Sequence, residues 1–369
     1  MQKIAFVFTL MSAVATVSNP AAAMATYRLT DIGVLPGYES SIAYDINDIG
    51  TVALTSAGST WQAATYDTNG MLRGIGQPVA WSYSAVGGIN NLGQIAGEVV
   101  QASGNQMAMK TTPTGVQLLG QGVGRAINNA GQVTGFAPGG AEPWWSTQAT
   151  VWSNSMVRGL GILGTGVRSS GMDINNAGHV AGYSETTSMG DEHAFFHDGK
   201  NMHDLGTLPG GKWSSARGIN EFDQVTGCSA SASSPNNCHA VIWSAGQILD
   251  LGIIQGGSYS YGTEINDAGD VVGGADIAGG LRVAMLYKNG AMVNLNSLLQ
   301  PDIASSWFLS EATAINNNGW IVGEAVFNGK TRAFLLTPIP EPSAGLLILA
   351  GFSAIAILRR HRRKIIVLR

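Results

Sequence analysis

Apolar and polar residues alternate along most of this chain in runs of four or five. "QVTG", "HAFFH", "HAVIW", "VAMLY" and "RAFLL" are examples, set between stretches rich in Gly, Asn, Asp and Ser. Period-two alternation bounded by turn residues predicts short β-strands. The pattern also recurs. "GINNLGQI", "AINNAGQV", "DINNAGHV", "EINDAGDV" and "AINNNGWI" are versions of one phrase. The Asn of each Ile-Asn pair falls at 47, 90, 128, 175, 220, 266 and 316, steps of 38 to 50 residues. A second marker, an alanine opening a strand-like run, falls at 64, 108, 149, 194, 240, 284 and 333. A third precedes each Asn: "LTDIG", "LRGIG", "QLLG", "RGLG", "HDLG", "LDLG" and the more degenerate "VNLN". Each marker therefore occurs seven times.

The recurring phrase reads as a building unit and not as a set of ligand sites. Asn suits the first position of a turn, where its side chain can bond the backbone two residues on. Gly suits the last, where a left-handed residue closes the turn. The fifth unit, "INEFDQV", has Asp223 where Gly stands elsewhere. Asp is among the few residues that tolerate that conformation, so a turn explains the exchange.

Six residues before the Asn stands Ser41, Ser84, Ser169, Ser214, Ser260 or Ser310, with Gly122 in the third unit. Four before it stands Ala43, Val86, Gly124, Gly171, Ala216, Gly262 or Ala312. Small residues at alternate positions give one side of a strand a narrow face, which predicts the innermost strand of each unit. Four short strands per unit of this length form the blade of a β-propeller. The expected fold is all-β, a seven-bladed propeller over residues 26–337. The last unit lacks a following Leu-Gly strand, so "LTDIG" at the N-terminal side is expected to complete it and remove an open edge. The alternative is an open β-solenoid, which would want more uniform repeats and caps at both ends.

The two ends read as addresses. Residues 1–25, "MQKIAFVFTLMSAVATVSNPAAAMA", have Lys3, an apolar run and an A-x-A site, the layout of a signal peptide for signal peptidase. Residues 338–369 hold a proline-punctuated start, an uncharged run from Ser343 to Leu358, and the basic cluster Arg359, Arg360, Arg362, Arg363 and Lys364. This predicts one short C-terminal transmembrane helix with the arginines on the cytoplasmic side. Between the two ends lie 13 basic and 23 acidic residues. Such an acidic body is a poor partner for nucleic acid, whose binding rests on neutralising phosphates. The two cysteines, Cys228 and Cys238, close "CSASASSPNNC", read as a polar loop clamped by a disulfide in an oxidising compartment.

With these residues in view, the repeats resemble the HAF family of extracellular repeats. "HAFFHDGKNMHDLGTLPGGKWSSARGINEFDQVTG" is similar to one whole repeat of that family. The tail "PEPSAGLLILAGFSAIAILRRHRR" resembles a PEP-CTERM sorting signal in its order: Pro340-Glu341-Pro342, apolar helix, arginine cluster. The chain continues as "KIIVLR", where such signals usually stop. The resemblance implies processing near Pro-Glu-Pro by an exosortase, a membrane transpeptidase of Gram-negative, polysaccharide-producing bacteria. The implied course is an inner-membrane tether, then the cell surface or the extracellular space.

Candidate chemistry is sparse. His193, His197 and His203 lie among carboxylates, but His193 holds a repeat position shared with His239 and Arg332, so no metal site or cofactor is expected. "GQGVG" and "GTGVRSSG" lack the strand-to-helix context of a phosphate loop. Aromatic residues in the loops before the Ile-Asn strands, Tyr38, Trp81, Trp213, Tyr259 and Trp307, are the candidate ligand face, for a sugar or a protein partner. Trp144 and Trp145 form a second one. The functional expectation is an exported, membrane-tethered or surface repeat protein, a non-enzymatic binding or structural module associated with exopolysaccharide or biofilm. The alternative is a secreted propeller enzyme, a lyase or glycoside hydrolase. An enzyme would show carboxylate, His or Arg breaking the repeat at one face.

Overall fold

A computed structural model describes residues 26–76, 81–139, 146–153, 156–187 and 190–339. The signal peptide, the sorting tail from Pro340 onward and the Trp144–Trp145 pair lie outside the described residues. Among the described residues, no helix is long and apolar enough to cross a membrane.

Seven four-stranded antiparallel sheets make up the fold, a seven-bladed β-propeller. The Ile-Asn strand is innermost in every blade: Ser40–Ile46, Trp81–Ile89, Val123–Ile127, Ser169–Ile174, Ser214–Ile219, Ser260–Ile265 and Trp307–Ile315. The Val-x-Gly strand is second, the alanine strand third and the Leu-Gly strand outermost. Tyr27–Asp31 pairs antiparallel with Lys330–Pro338 and completes the seventh blade. The chain's first described strand therefore closes the ring on its last, as the marker order predicts.

The recurring turn is built as expected and does one thing more. In blade 5 the Asn220 Oδ1 accepts from Phe222 N and Gln224 N, which ties the turn to itself. Asp223 takes φ 58°, in the left-handed region where Gly50, Gly93, Gly131, Gly178, Gly269 and Gly319 stand in the other blades. The Asn amide also reaches across to the next blade. Asn47 Nδ2 donates to the carbonyl of Asn90, Asn90 to Asn128, Asn128 to Asn175, and so on through Asn220, Asn266 and Asn316 back to Asn47, at 2.9–3.2 Å. A second ring runs one residue further on. There each backbone N–H of Asp48, Asn91, Asn129, Asn176, Glu221, Asp267 and Asn317 donates to the side-chain oxygen of its counterpart in the next blade. Two closed necklaces thus join seven blades that are far apart in sequence. All seven ring asparagines are buried, and a buried amide must be hydrogen-bonded, so Asn is fixed at these positions.

The other markers meet at one joint between blades. Ser214 Oγ accepts from Ala194 N in the preceding blade, at 2.9 Å, and donates to the Gly206 carbonyl at 2.7 Å. Ser41, Ser169 and Ser260 repeat this with Ala333 and Gly33, Ala149 and Gly161, and Ala240 and Gly252. The small face of the inner strand is therefore turned toward the preceding blade rather than the axis. The axis is reached by a different device. Each inner strand carries a register shift three residues before its Asn, as between Ala43 and Asp45 or Ala216 and Gly218. A β-bulge of this kind re-aims a side chain. The Val-x-Gly glycine lies opposite it: a Cβ on Gly227 would stand 2.0 Å from the Ser215 carbonyl oxygen, and Gly97, Gly135, Gly182, Gly273 and Gly323 meet the same obstacle. Blade 1 has Leu54 there, fully buried.

Cys228 and Cys238 form a disulfide with Cα atoms 5.5 Å apart. The expected loop between them is mostly strand. Val225–Ser231 and Ser234–Ser244 pair as one hairpin, with a register shift at Ser229–Ser231. The polar residues mislead because Pro235, Asn236 and Asn237, at the start of the second strand, are exposed, where alternation with apolar residues is not required.

Candidate functional site

The bulges give the axis its character. The residues three before the Asn, Tyr44, Gly87, Arg125, Met172, Arg217, Thr263 and Thr313, together line a cavity of about 330 Å³ in the central channel. This cavity lies toward the loop face, opposite the Asn turns. The Asn necklaces surround a second cavity of about 150 Å³ on the turn face. Asp45, Asp173 and Glu264, two before the Asn in blades 1, 4 and 6, line both cavities. They stand at the constriction between them. The same position holds Gly88, Ala126, Gly218 and Ala314 in the other blades.

Each of these carboxyls keeps a narrow contact with the channel void and is otherwise enclosed by protein. Asp45 accepts from Ile46 N and, in the next blade, Ile89 N, both at 2.7 Å. Asp173 accepts from Ile174 N at 2.7 Å and Ile219 N at 2.8 Å. Glu264 accepts from Ile265 N at 2.9 Å. Burial pushes the Asp45 carboxyl up to about 7, against the pull of its two backbone donors. Burial likewise raises Asp173. It holds Glu264 well above the usual carboxylate range, and the charges of Asp173 and Asp45 add to the effect. Among the described residues, no three His, Cys, Asp or Glu side chains are close enough together to hold a metal ion.

The mouth has a cationic and an anionic side. Arg125 lies over Phe136 at 5.8 Å and Arg217 over Tyr261 at 5.1 Å. Both are exposed, and neither is paired with a carboxylate among the described residues. Across the channel, Glu311 and Glu324 are held by Arg282 at 3.1 and 2.7 Å. Thr263 and Thr313 spend their hydroxyls bridging to the Ala312 and Ala43 carbonyls of the next blade.

The sequence-derived candidates are placed differently. Tyr38, Trp81, Trp213, Tyr259 and Trp307 are all half-buried. Tyr38, Trp81 and Trp307 pack against blade cores. Trp307 stacks on Phe327 at 4.6 Å and Tyr259 on Tyr261 at 6.3 Å. Trp213 Nε1 donates to the Pro235 carbonyl at 3.4 Å. None of the five lines the channel cavity. His193 and His203 pair with separate carboxylates, Asp204 and Asp198, while His197 is buried and accepts from Gly199 N. His239 pairs with Asp250 as His193 does with Asp204, so the His of the repeat and the Asp of its Leu-Gly strand form one structural pair. The channel residues were missed because they vary. Their signal was the position three before a constant Asn, which holds five residue types in seven units.

No family model matches the chain, and no curated protein does. Its fold is similar to that of virginiamycin B lyase from Staphylococcus aureus, with a TM-score of 0.50 and 11% identity over 85% of this chain and 100% of that one. A gluconolactonase from Xanthomonas campestris aligns with a TM-score of 0.44 and 9% identity, over 87% of this chain and 93% of that one. TolB from Acinetobacter baumannii aligns with a TM-score of 0.41 and 12% identity, over 55% of this chain and 51% of its own length. At these identities the likeness is one of fold alone.

Proposed function

We propose that the protein is an exported binding propeller of the cell surface or extracellular matrix, which takes its ligand into the central channel from the loop face. One contrast carries this reading. The scaffold positions are nearly the same in all seven blades, whereas the channel row runs Tyr44, Gly87, Arg125, Met172, Arg217, Thr263, Thr313. A ring with only a structural role has no need to vary the positions that face its axis. The address rests on sequence: a signal peptide over 1–25 and a PEP-CTERM-like tail with Pro340, Glu341 and Pro342, a substrate for an exosortase. That address and the resemblance to HAF repeats favour exopolysaccharide as the ligand. A glycan array probed with the full-length chain in detergent tests it. Selective glycan binding is the expected result, and binding to no glycan overturns it.

A second reading, a propeller enzyme acting on polysaccharide, is favoured by Asp45, Asp173 and Glu264. Enclosed carboxyls with raised pKa are frequent at catalytic sites. The two readings separate on incubation with the bound glycan. A binder leaves chain length unchanged, while an enzyme yields shortened or unsaturated products visible by mass.

A further inference from the structure

Taking the channel as the ligand site, as proposed above, we infer that its mouth receives a hydroxylated ring bearing a carboxylate, the chemistry of a uronic-acid residue. Arg125 and Arg217 take the carboxylate, and the carboxyls of Asp45, Asp173 and Glu264 take ring hydroxyls.

The two guanidiniums stand on blades 3 and 5 on either side of Met172, and both line the mouth cavity. Each rests on an aromatic ring rather than on a carboxylate. Arg presents only donors, in a planar fork suited to carboxylate. An unpaired pair of them in a body with 23 acidic and 13 basic residues is a local site for an anion. Two acidic groups of the wall, Glu311 and Glu324, are paired with Arg282.

The constriction asks for something else. A carboxyl accepts from hydroxyls whether or not it carries a proton, and two of these three already hold two backbone N–H groups each. Their remaining lone pairs face the channel and suit hydroxyl donors. A bare anion would satisfy the arginines but leave the three carboxyls at the constriction without a hydroxyl partner. A neutral sugar would satisfy the carboxyls but leave both guanidiniums unengaged. A ring with one carboxylate and several hydroxyls satisfies both. The mouth cavity, about 330 Å³, is at the small end of ligand pockets, room for one sugar-sized group. Tyr44, 37% exposed at the rim, offers a ring face for the sugar's C–H edge.

Calorimetric titration of the full-length chain in detergent tests this with three probes: trigalacturonate, maltotriose and inorganic phosphate. The expected result is saturable binding of trigalacturonate, at least tenfold tighter than either other probe. Arg125→Ala and Arg217→Ala should each weaken it tenfold or more without shifting the thermal unfolding midpoint. Arg217→Lys should recover only part, because a lysine lacks the planar fork. Equal binding of phosphate and trigalacturonate would reduce the site to a plain anion site and overturn the inference. So would trigalacturonate affinity that both alanine variants leave unchanged. Binding of maltotriose alone, indifferent to both arginines, would overturn this inference while leaving a glycan-binding propeller standing. Binding of none of the three, with an empty glycan array, would overturn both.

Discussion

Gly227 shows how much a single residue of this repeat carries. Its missing Cβ leaves room for the Ser215 carbonyl, 2.0 Å from where that atom would be. Gly227→Ala must push two paired strands apart beside the bulge. Overpacking of this sort costs about 1–3 kcal/mol, and urea unfolding should show a lower midpoint by that measure. An unchanged midpoint would mean that the close approach is not what holds glycine there. Sequence made the glycine visible as part of a Val-x-Gly strand but not its reason, because the obstacle comes from a bulge on the neighbouring strand. The asparagines were half legible in the same way. Their turns are local and could be read from Asn and Gly spacing. Their bonds to the next blade join residues some 40 to 50 positions apart, which no local pattern reveals.

At the scale of elements, strand order was readable because each of the three markers belongs to one strand, and the seventh set was one strand short. The starts of strands were less so. Trp81 and Trp307, expected in loops, open inner strands that run to Ile89 and Ile315. An aromatic residue at such a junction is as good a strand start as a loop end. The Cys228–Cys238 hairpin is a third instance, read as loop because its sequence is polar. Its disulfide closes a short segment, so the chain-entropy model gives it about 2–3 kcal/mol. The double variant Cys228→Ser with Cys238→Ser should unfold earlier by that amount, and thiol labelling of the unreduced, denatured protein should find no reactive cysteine. Labelling of both thiols would contradict the bond.

At the scale of the whole molecule, the enclosed carboxyls couple the ring to pH. A carboxyl raised by the fold binds its proton more tightly folded than unfolded. Its contribution is therefore full at pH below the unfolded value near 4 and is lost as pH rises through the folded value, about 7 for Asp45. Each such group tilts stability by up to about 1.4 kcal/mol per pH unit inside that window. Asp45→Asn should gain on the parent protein as pH rises from 4 to 7. A stability difference that does not change with pH would show that Asp45 is not held protonated. This feature was invisible in sequence, because Asp, Gly, Ala and Glu at one repeat position look like tolerance rather than like the walls of a channel.

The fold depends most on closure, with seven equivalent links between blades. The link from blade 7 to blade 1 is Asn316 Nδ2 to the Asn47 carbonyl, 3.0 Å across 269 residues. Its counterpart within the chain is Asn47 Nδ2 to the Asn90 carbonyl, also 3.0 Å. Replacing either Asn by Asp keeps the oxygen that accepts from its own turn. It removes the donor and sets an oxygen against the next blade's carbonyl. The direct measurement is urea unfolding of Asn316→Asp beside Asn47→Asp. Closure predicts that both lower stability by similar amounts, on the order of 1–3 kcal/mol each, in single cooperative transitions. A loss in Asn47→Asp with none in Asn316→Asp would mean that blades 7 and 1 do not meet, and the closed ring would be wrong.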